Sequence, residues 1–398
     1  MITPIAGTGP AVAPNLPAGT VFGQTARLSA VTAPGGDVAK QAEAAFSTAL
    51  ANLSSAGYAV DDLVHVIEYV CPEALADYSA VARARLAALD GHTPAVATVA
   101  VVGLPESDAL VAIELTAHTG GGERVVAFPD STELQGNTAF HRGTLRVADD
   151  IVYLPSVHPI DGDGNLVAEG DFRGQYRYCL EATGELLAAA GLGLDALTQG
   201  TDYTSTATRS EYPRCGRPRK ELLGATGTDG QPVHPGAAGI LVDQPIVPGA
   251  GVSLDSFASR RPLRAVNPGW RRYHTLTYKP GVAAGNTLFM SGFGALEPAT
   301  QKAIFEGDLL AQAEFTYAAI SATLREAGLT GSSVVRLVEY VLPDALPDYP
   351  KLVELRTKYF GDPGPALTPV VVTALLRPEF LIEVVPTAVF DTDSQETA

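Results

Sequence analysis

Three stretches of this 398-residue chain carry one pattern. Gln41…Gly57…Glu68-Tyr69…Tyr78…Arg85 recurs as Gln175…Gly191…Asp202-Tyr203…Tyr212…Arg219 and again as Gln312…Gly328…Glu339-Tyr340…Tyr349…Arg356. The glutamine and the first tyrosine stand 28 positions apart in each copy, so no insertion has entered the unit. A period of this length means that one chain holds three copies of one small domain. Such a chain can fold as a built-in trimer, with its sites at the seams between copies.

Hydrophobic periodicity fills in each copy. The segments 38–56, 171–190 and 309–327 repeat apolar residues at helical spacing and close on Gly57, Gly191 and Gly328, which predicts helices ended by a C′ glycine. Strands are predicted at 63–70, 197–204 and 334–342, each followed by a second helix. The repeated tyrosine and arginine of that helix, seven residues apart, share one face, where a packing or ion-pair role with a strand acid is expected. In the second copy, Pro213 and Pro218 should shorten this helix. Two further β segments complete each unit, giving a β-β-α-β-α-β-β order in an α+β class. The expected domains are 1–120, with a shortened opening hairpin, 123–261 and 268–390. The stretch 260–270 reads as a linker, and 391–398 as a frayed polar tail.

A net charge of −17 opposes a nucleic-acid partner, whose phosphates would be repelled. No apolar run is long enough for a membrane span, and Met1-Ile2-Thr3-Pro4 lacks the start of a signal peptide, so a cytoplasmic location is expected. Cys71, Cys179 and Cys215 are odd in number without CxxC spacing, and no HExxH or His-x-His pair occurs. Neither a metal nor another cofactor is expected.

The helix closing on Ala-Ala-Gly or Glu-Ala-Gly, Met290-Ser291-Gly292, Ala366, Arg377-Pro378-Glu379 and Ile382-Glu383-Val384 together resemble the Rid family. These are the YjgF/YER057c/UK114 proteins, reactive-intermediate (enamine/imine) deaminases. The resemblance spans nearly the whole chain three times over. It implies Rid-like, chorismate-mutase-like domains forming an intramolecular pseudo-trimer: a central sheet barrel, outer helices and ligand clefts between units. A monomer acting as its own trimer on a small-molecule substrate is expected.

Deaminating members hold a substrate carboxylate with an arginine in a Pro-Ala-Arg segment, where a guanidinium fork suits the planar anion. This chain departs from that pattern, with Pro94-Ala95-Val96, Pro235-Gly236-Ala237 and Pro365-Ala366-Leu367. A neutral or differently anchored substrate follows. The family's water-positioning acid aligns with Glu114 and Asp255, while the third copy has Val385 there and keeps Glu383 two residues earlier. Phe140-His141 and Tyr273-His274 occupy matching places assigned to the opening strands. With Glu114 or Asp255 activating water, His141 or His274 is the expected proton donor. Phe140, Tyr273, Ser291, His158 and Glu383 are the expected substrate contacts, and His158, His234 and His141 are expected along one seam. Ser291 differs from its aligned counterparts Pro155 and Gln24, as a divided site requires.

Three functions fit these residues. The preferred one is a Rid-like enzyme of specialised metabolism that hydrolyses or rearranges an enamine, imine or enol-type metabolite. The others are a chorismatase-like hydrolase or lyase acting on an enol ether, and a non-catalytic small-molecule-binding pseudo-trimer.

Overall fold

A computed structural model describes residues 1–9, 13 and 16–390; the predicted tail lies outside them. Each unit is built on a strand carrying the acid-tyrosine pair: Leu63–Val70, Leu197–Ser205 and Val334–Val341. The two β segments that end a unit flank this strand instead of pairing with each other. Ala95–Ala100, Gly236–Val242 and Ala366–Val371 run parallel to it. Val111–His118, Val252–Ser259 and Ile382–Val389 run antiparallel on its other side.

The long helices are Val38–Ser55, Phe172–Ala189 and Leu309–Glu326, started by Asp37, Asp171 and Asp308, whose carboxylates accept backbone N–H bonds in the first turn. The repeated glutamine belongs to the scaffold. Gln41, Gln175 and Gln312 each accept, through Oε1, the N–H of the residue entering the last strand (Leu110, Gly251 and Leu381), at 2.8, 2.6 and 2.8 Å.

Strand alternation then divides the faces. Val66 and Val70 face the first unit's helices, whereas Ile67 and Tyr69 join a core shared by all three units. That core also holds Tyr203, Ile240, Tyr340 and Val385, and the hydroxyls of Tyr203 and Tyr340 meet at 2.7 Å. The three sheets thus pack around one centre, with no closed hydrogen-bonded barrel among the described residues.

Two expectations change. The first unit opens on a hairpin, Gly19–Phe22 with Thr25–Leu28, whose four-residue arms equal those of the third unit, where a reduced one was expected. An extra edge strand also precedes each hairpin: Thr3–Ile5, Glu123–Val126 and Leu263–Val266. The last lies in the stretch read as a linker and pairs with Gly281–Ala284, so it belongs to the third unit. Its two prolines, Pro262 and Pro268, flank the strand, a position open to proline at a sheet edge.

Candidate active site at the seam of the second and third units

The repeated acids are structural. Glu68 accepts from Tyr78 Oη at 2.6 Å and from Arg85 at 2.5 Å. Asp202 accepts from Tyr212 at 2.9 Å and from Arg219 at 3.2 Å, although proline breaks that helix into a 3-10 segment, Thr206–Cys215, and a short helix, Gly216–Leu222. Glu339 accepts from Tyr317 and Tyr349, both at 2.6 Å, and from Arg356 at 2.7 Å.

Serine hydroxyls clip the seams in a cycle. Ser29 accepts the N–H of Leu367 at 3.0 Å, Ser156 that of Thr98 at 2.9 Å, and Ser291 that of Ala237 at 2.9 Å. The first unit therefore engages the third, the second the first, and the third the second. Strand register makes Ser29 the counterpart of Ser291, since Ala26 faces Ala117 where Leu288 faces Ala388; the sequence had suggested Gln24. Ser291 thus supports the seam from behind, donating also to Lys279 O at 2.6 Å.

A cavity of about 520 Å³ opens between the second and third units. Its wall from the second unit includes Tyr212, Ala237 and Gly239, and its wall from the third includes Trp270, Tyr273, Phe293, Phe380 and Glu383. Burial pushes the Glu383 carboxyl up to about 8, with the Gly239 N–H pulling the other way. This carboxyl is protonated at neutral pH. Gly292 gives it room: a Cβ there would lie 3.0 Å from Glu383 Cδ and closer still to Oε1.

The other seams differ at the equivalent point. Glu383 is paired across the sheet with Tyr340, and the matching partners of Tyr203 and Tyr69 are Ser253 and Ala112. Between the first and second units a larger cavity, about 660 Å³, lies towards the strand ends. Tyr78 on its wall is reached by Arg142, which also donates to Val96 O at 3.1 Å and Thr98 Oγ1 at 2.9 Å. At the remaining seam, Ala13 and Leu16 join the hydrophobic cluster of Tyr349, which is 1% exposed.

The other predicted site residues are dispersed. Glu114 accepts both arms of Arg336 and the Thr368 hydroxyl, so it is a paired, buried anion instead of an open base. Asp255 lies at the shared centre, accepts from Ser156 Oγ at 2.5 Å, and is pushed up to about 7 by burial. The cavity beside it, about 20 Å³, holds no more than about one water.

His141 and His274 stand at matching places, but at the ends of 3-10 turns and not in strands: His141 directly follows Asn137–Phe140, and His274 closes Arg271–His274. His141 stacks on Phe128 at 4.4 Å and His274 is exposed, while their neighbours Phe140 and Tyr273 face the two cavities. His158 is buried, edge-on to Phe140, and held neutral by burial and then by Arg142, its value lowered to about 3. Neither cavity is lined by His141, His158 or His234, and His234 lies against Gly224 instead. Cys215 does line the Glu383 cavity, but burial pushes its thiol up to about 12, which keeps it protonated and a poor nucleophile.

Sequence reading missed Trp270 and Arg272 as cavity residues, and held Arg377 only as part of the segment that carries the family resemblance. The signals were present: the chain's single tryptophan, the Arg271-Arg272 doublet and the Arg377-Pro378 turn.

Comparison with known proteins adds the following. The sequence profile of the family described as Endoribonuclease L-PSP matches residues 19–119 and 272–390, the first and third units. A RutC family protein of Pyrococcus abyssi is 35% identical over 106 residues, 27% of this chain and 80% of that protein. Protein DfrA of Myxococcus xanthus is 38% identical over 96 residues, 24% of this chain and 71% of that protein. A crystal structure of a chorismatase covers 82% of this chain and 93% of its own, with a TM-score of 0.50 and 12% identity, a likeness of fold.

Proposed function

We propose, from the premise that this chain belongs to the Endoribonuclease L-PSP family, the Rid family, that it is an enzyme acting on a small enamine, imine or enol-type metabolite in the cavity between its second and third units. The observation that carries the reading is Glu383, a carboxyl buried in an aromatic-walled cavity and held protonated at neutral pH. Ser253 and Ala112 stand in its place in the other units.

A neutral carboxylic acid set among aromatic walls can serve as a general acid, and an electron-rich carbon is a fitting acceptor for its proton. Glu383 gives its proton to the β-carbon of an enamine or enol ether, and the α-carbon becomes an iminium or oxocarbenium centre. The Glu383 carboxylate then takes a proton from water as its oxygen bonds to that centre. Collapse of the adduct moves its hydroxyl proton to the departing nitrogen or oxygen, breaks the C–N or C–O bond and releases ammonia or an alcohol, leaving a carbonyl. The aromatic side chains Trp270, Phe293 and Phe380 offer flat surfaces to an unsaturated substrate. With a net charge of −17, the chain is poorly suited to a polyanionic RNA partner.

The test is turnover of a panel of enamines, imines and enol ethers by the intact chain and by its Glu383→Gln and Asp255→Asn variants. Loss of turnover in Glu383→Gln with unchanged circular dichroism supports the proposal. Full turnover by Glu383→Gln, or loss confined to Asp255→Asn, overturns it; ligand binding without turnover across the panel favours a binding protein.

A further inference from the structure

The cavity that holds Glu383 is lined by four arginines, Arg209, Arg219, Arg272 and Arg377, in a chain whose net charge is −17. Two of them are already committed: Arg219 to Asp202 at 3.2 Å, and Arg209 to Leu376 O at 3.0 Å. The side chains of Arg272 and Arg377 make no ion pair or hydrogen bond among the described residues. Cationic walls are not general at these seams, because the larger cavity presents Asp77 and Asp243 and no lysine or arginine.

Arg272 and Arg377 line the cavity together with Tyr278 and Glu383. Both arginines bear on the Tyr278 phenol: burial raises it, Arg219, Arg272 and Arg377 pull it down, and Glu383 pushes it up. The carboxyl of Glu383 itself responds to burial and to the Gly239 N–H. At the strand position where deaminating relatives carry their arginine, the wall presents Ala237.

We propose that Arg272 and Arg377 form a carboxylate subsite in the cavity of Glu383 and select an anionic substrate there. A planar unsaturated acid of aromatic size fits, with its body against Trp270 and Phe293. This rests on the proposed role of Glu383, and its test is independent of turnover. A guanidinium-carboxylate contact is charge-assisted and directional, so an uncharged amide of the same shape gains much less from it.

Isothermal titration of the full chain with cinnamate and with cinnamamide at pH 7 reads the subsite directly. Cinnamate is expected to bind at least about tenfold more tightly than the amide. The preference should vanish in the Arg272→Gln/Arg377→Gln double variant and persist in Glu383→Gln. Equal binding of the two probes, no binding of either, or a preference that survives the double substitution overturns the proposal. If the preference holds while Glu383→Gln keeps full turnover, the subsite stands and the acid role falls. The reverse pattern removes the subsite alone.

Discussion

Arg336 of the third unit grips Glu114 of the first through both arms of its guanidinium, with Nη2 3.0 Å from Oε2, and Thr368 Oγ1 lies 2.6 Å from the same oxygen. Both ionic side chains are nearly fully buried, at 9% and 2% exposure, so the pair joins two units across the molecule's centre. Removing one partner strands the other charge in a poorly solvating interior. Arg336→Leu should destabilise the fold by about 3–5 kcal/mol, whereas Arg336→Leu/Glu114→Leu should recover much of that loss. Equilibrium urea unfolding measures both; a single variant as stable as the parent would contradict the buried pairing.

Glu383→Gln keeps the shape of the side chain and removes its transferable proton. Turnover should fall by about 10²–10⁴, the usual contribution of a general acid, with little change in KM. Steady-state kinetics on the best substrate of the panel decides this, and a change confined to KM would assign Glu383 to binding.

The pH profile follows from the same carboxyl. Because the active form is protonated and titrates at about 8, kcat should be level below that pH and fall about tenfold per pH unit above it. A rate that rises through pH 8 would make Glu383 a base.

Stability should show the complementary trend. Asp255 and Glu383 have folded-state values raised to about 7 and about 8 by burial, so the folded chain keeps protons that the unfolded chain has already released. Their contribution is complete below the unfolded carboxyl values and is lost as pH rises towards 7 and 8. Relative to Glu383→Gln, the parent should lose about 1.4 kcal/mol per pH unit between roughly pH 5 and 8. Denaturant midpoints across that range test it, and parallel curves for parent and variant would refute it.

Gly292 gives a steric check on the site. Gly292→Ala sets a methyl group against the Glu383 carboxyl, with Ala238 Cβ on the other side at 3.0 Å. Glu383 must move, so kcat should drop by about 10²-fold, the scale of an ångström misplacement, with a smaller effect on the unfolding midpoint. An unchanged kcat would show that the carboxyl need not sit where the structure places it.

Much of the scaffold could be read directly from residue spacing. The three Gln-led helices and the acid-tyrosine strands begin and end within a residue or so of their predicted bounds, because helical periodicity and a closing glycine are local signals. The pairing of the helical arginines with the strand acids was equally readable, since both residues recur together. The candidate site was less so. His141 and His274 recur at one repeat position, but that position is the end of a turn beside the cavity, and the neighbouring ring, Phe140 or Tyr273, faces inward. Strand alternation correctly put Glu383 and Val385 on one face. It could not show that a step of two residues, about 6.7 Å along a strand, separates a seam cavity from the molecule's centre.

By itself, then, the sequence determined the threefold repeat, the α+β unit and the family. It also showed the loss of the strand arginine from all three copies. These depend on residues close together in one copy, whose periodicity and spacing act locally. Only the tertiary structure decided that Glu114 is bound to Arg336, 222 positions away, while Glu383 is left to an open cavity. A carboxylate's chemistry is set by what desolvates it and what charge it meets, and for Glu114 that charge comes from another copy of the repeat.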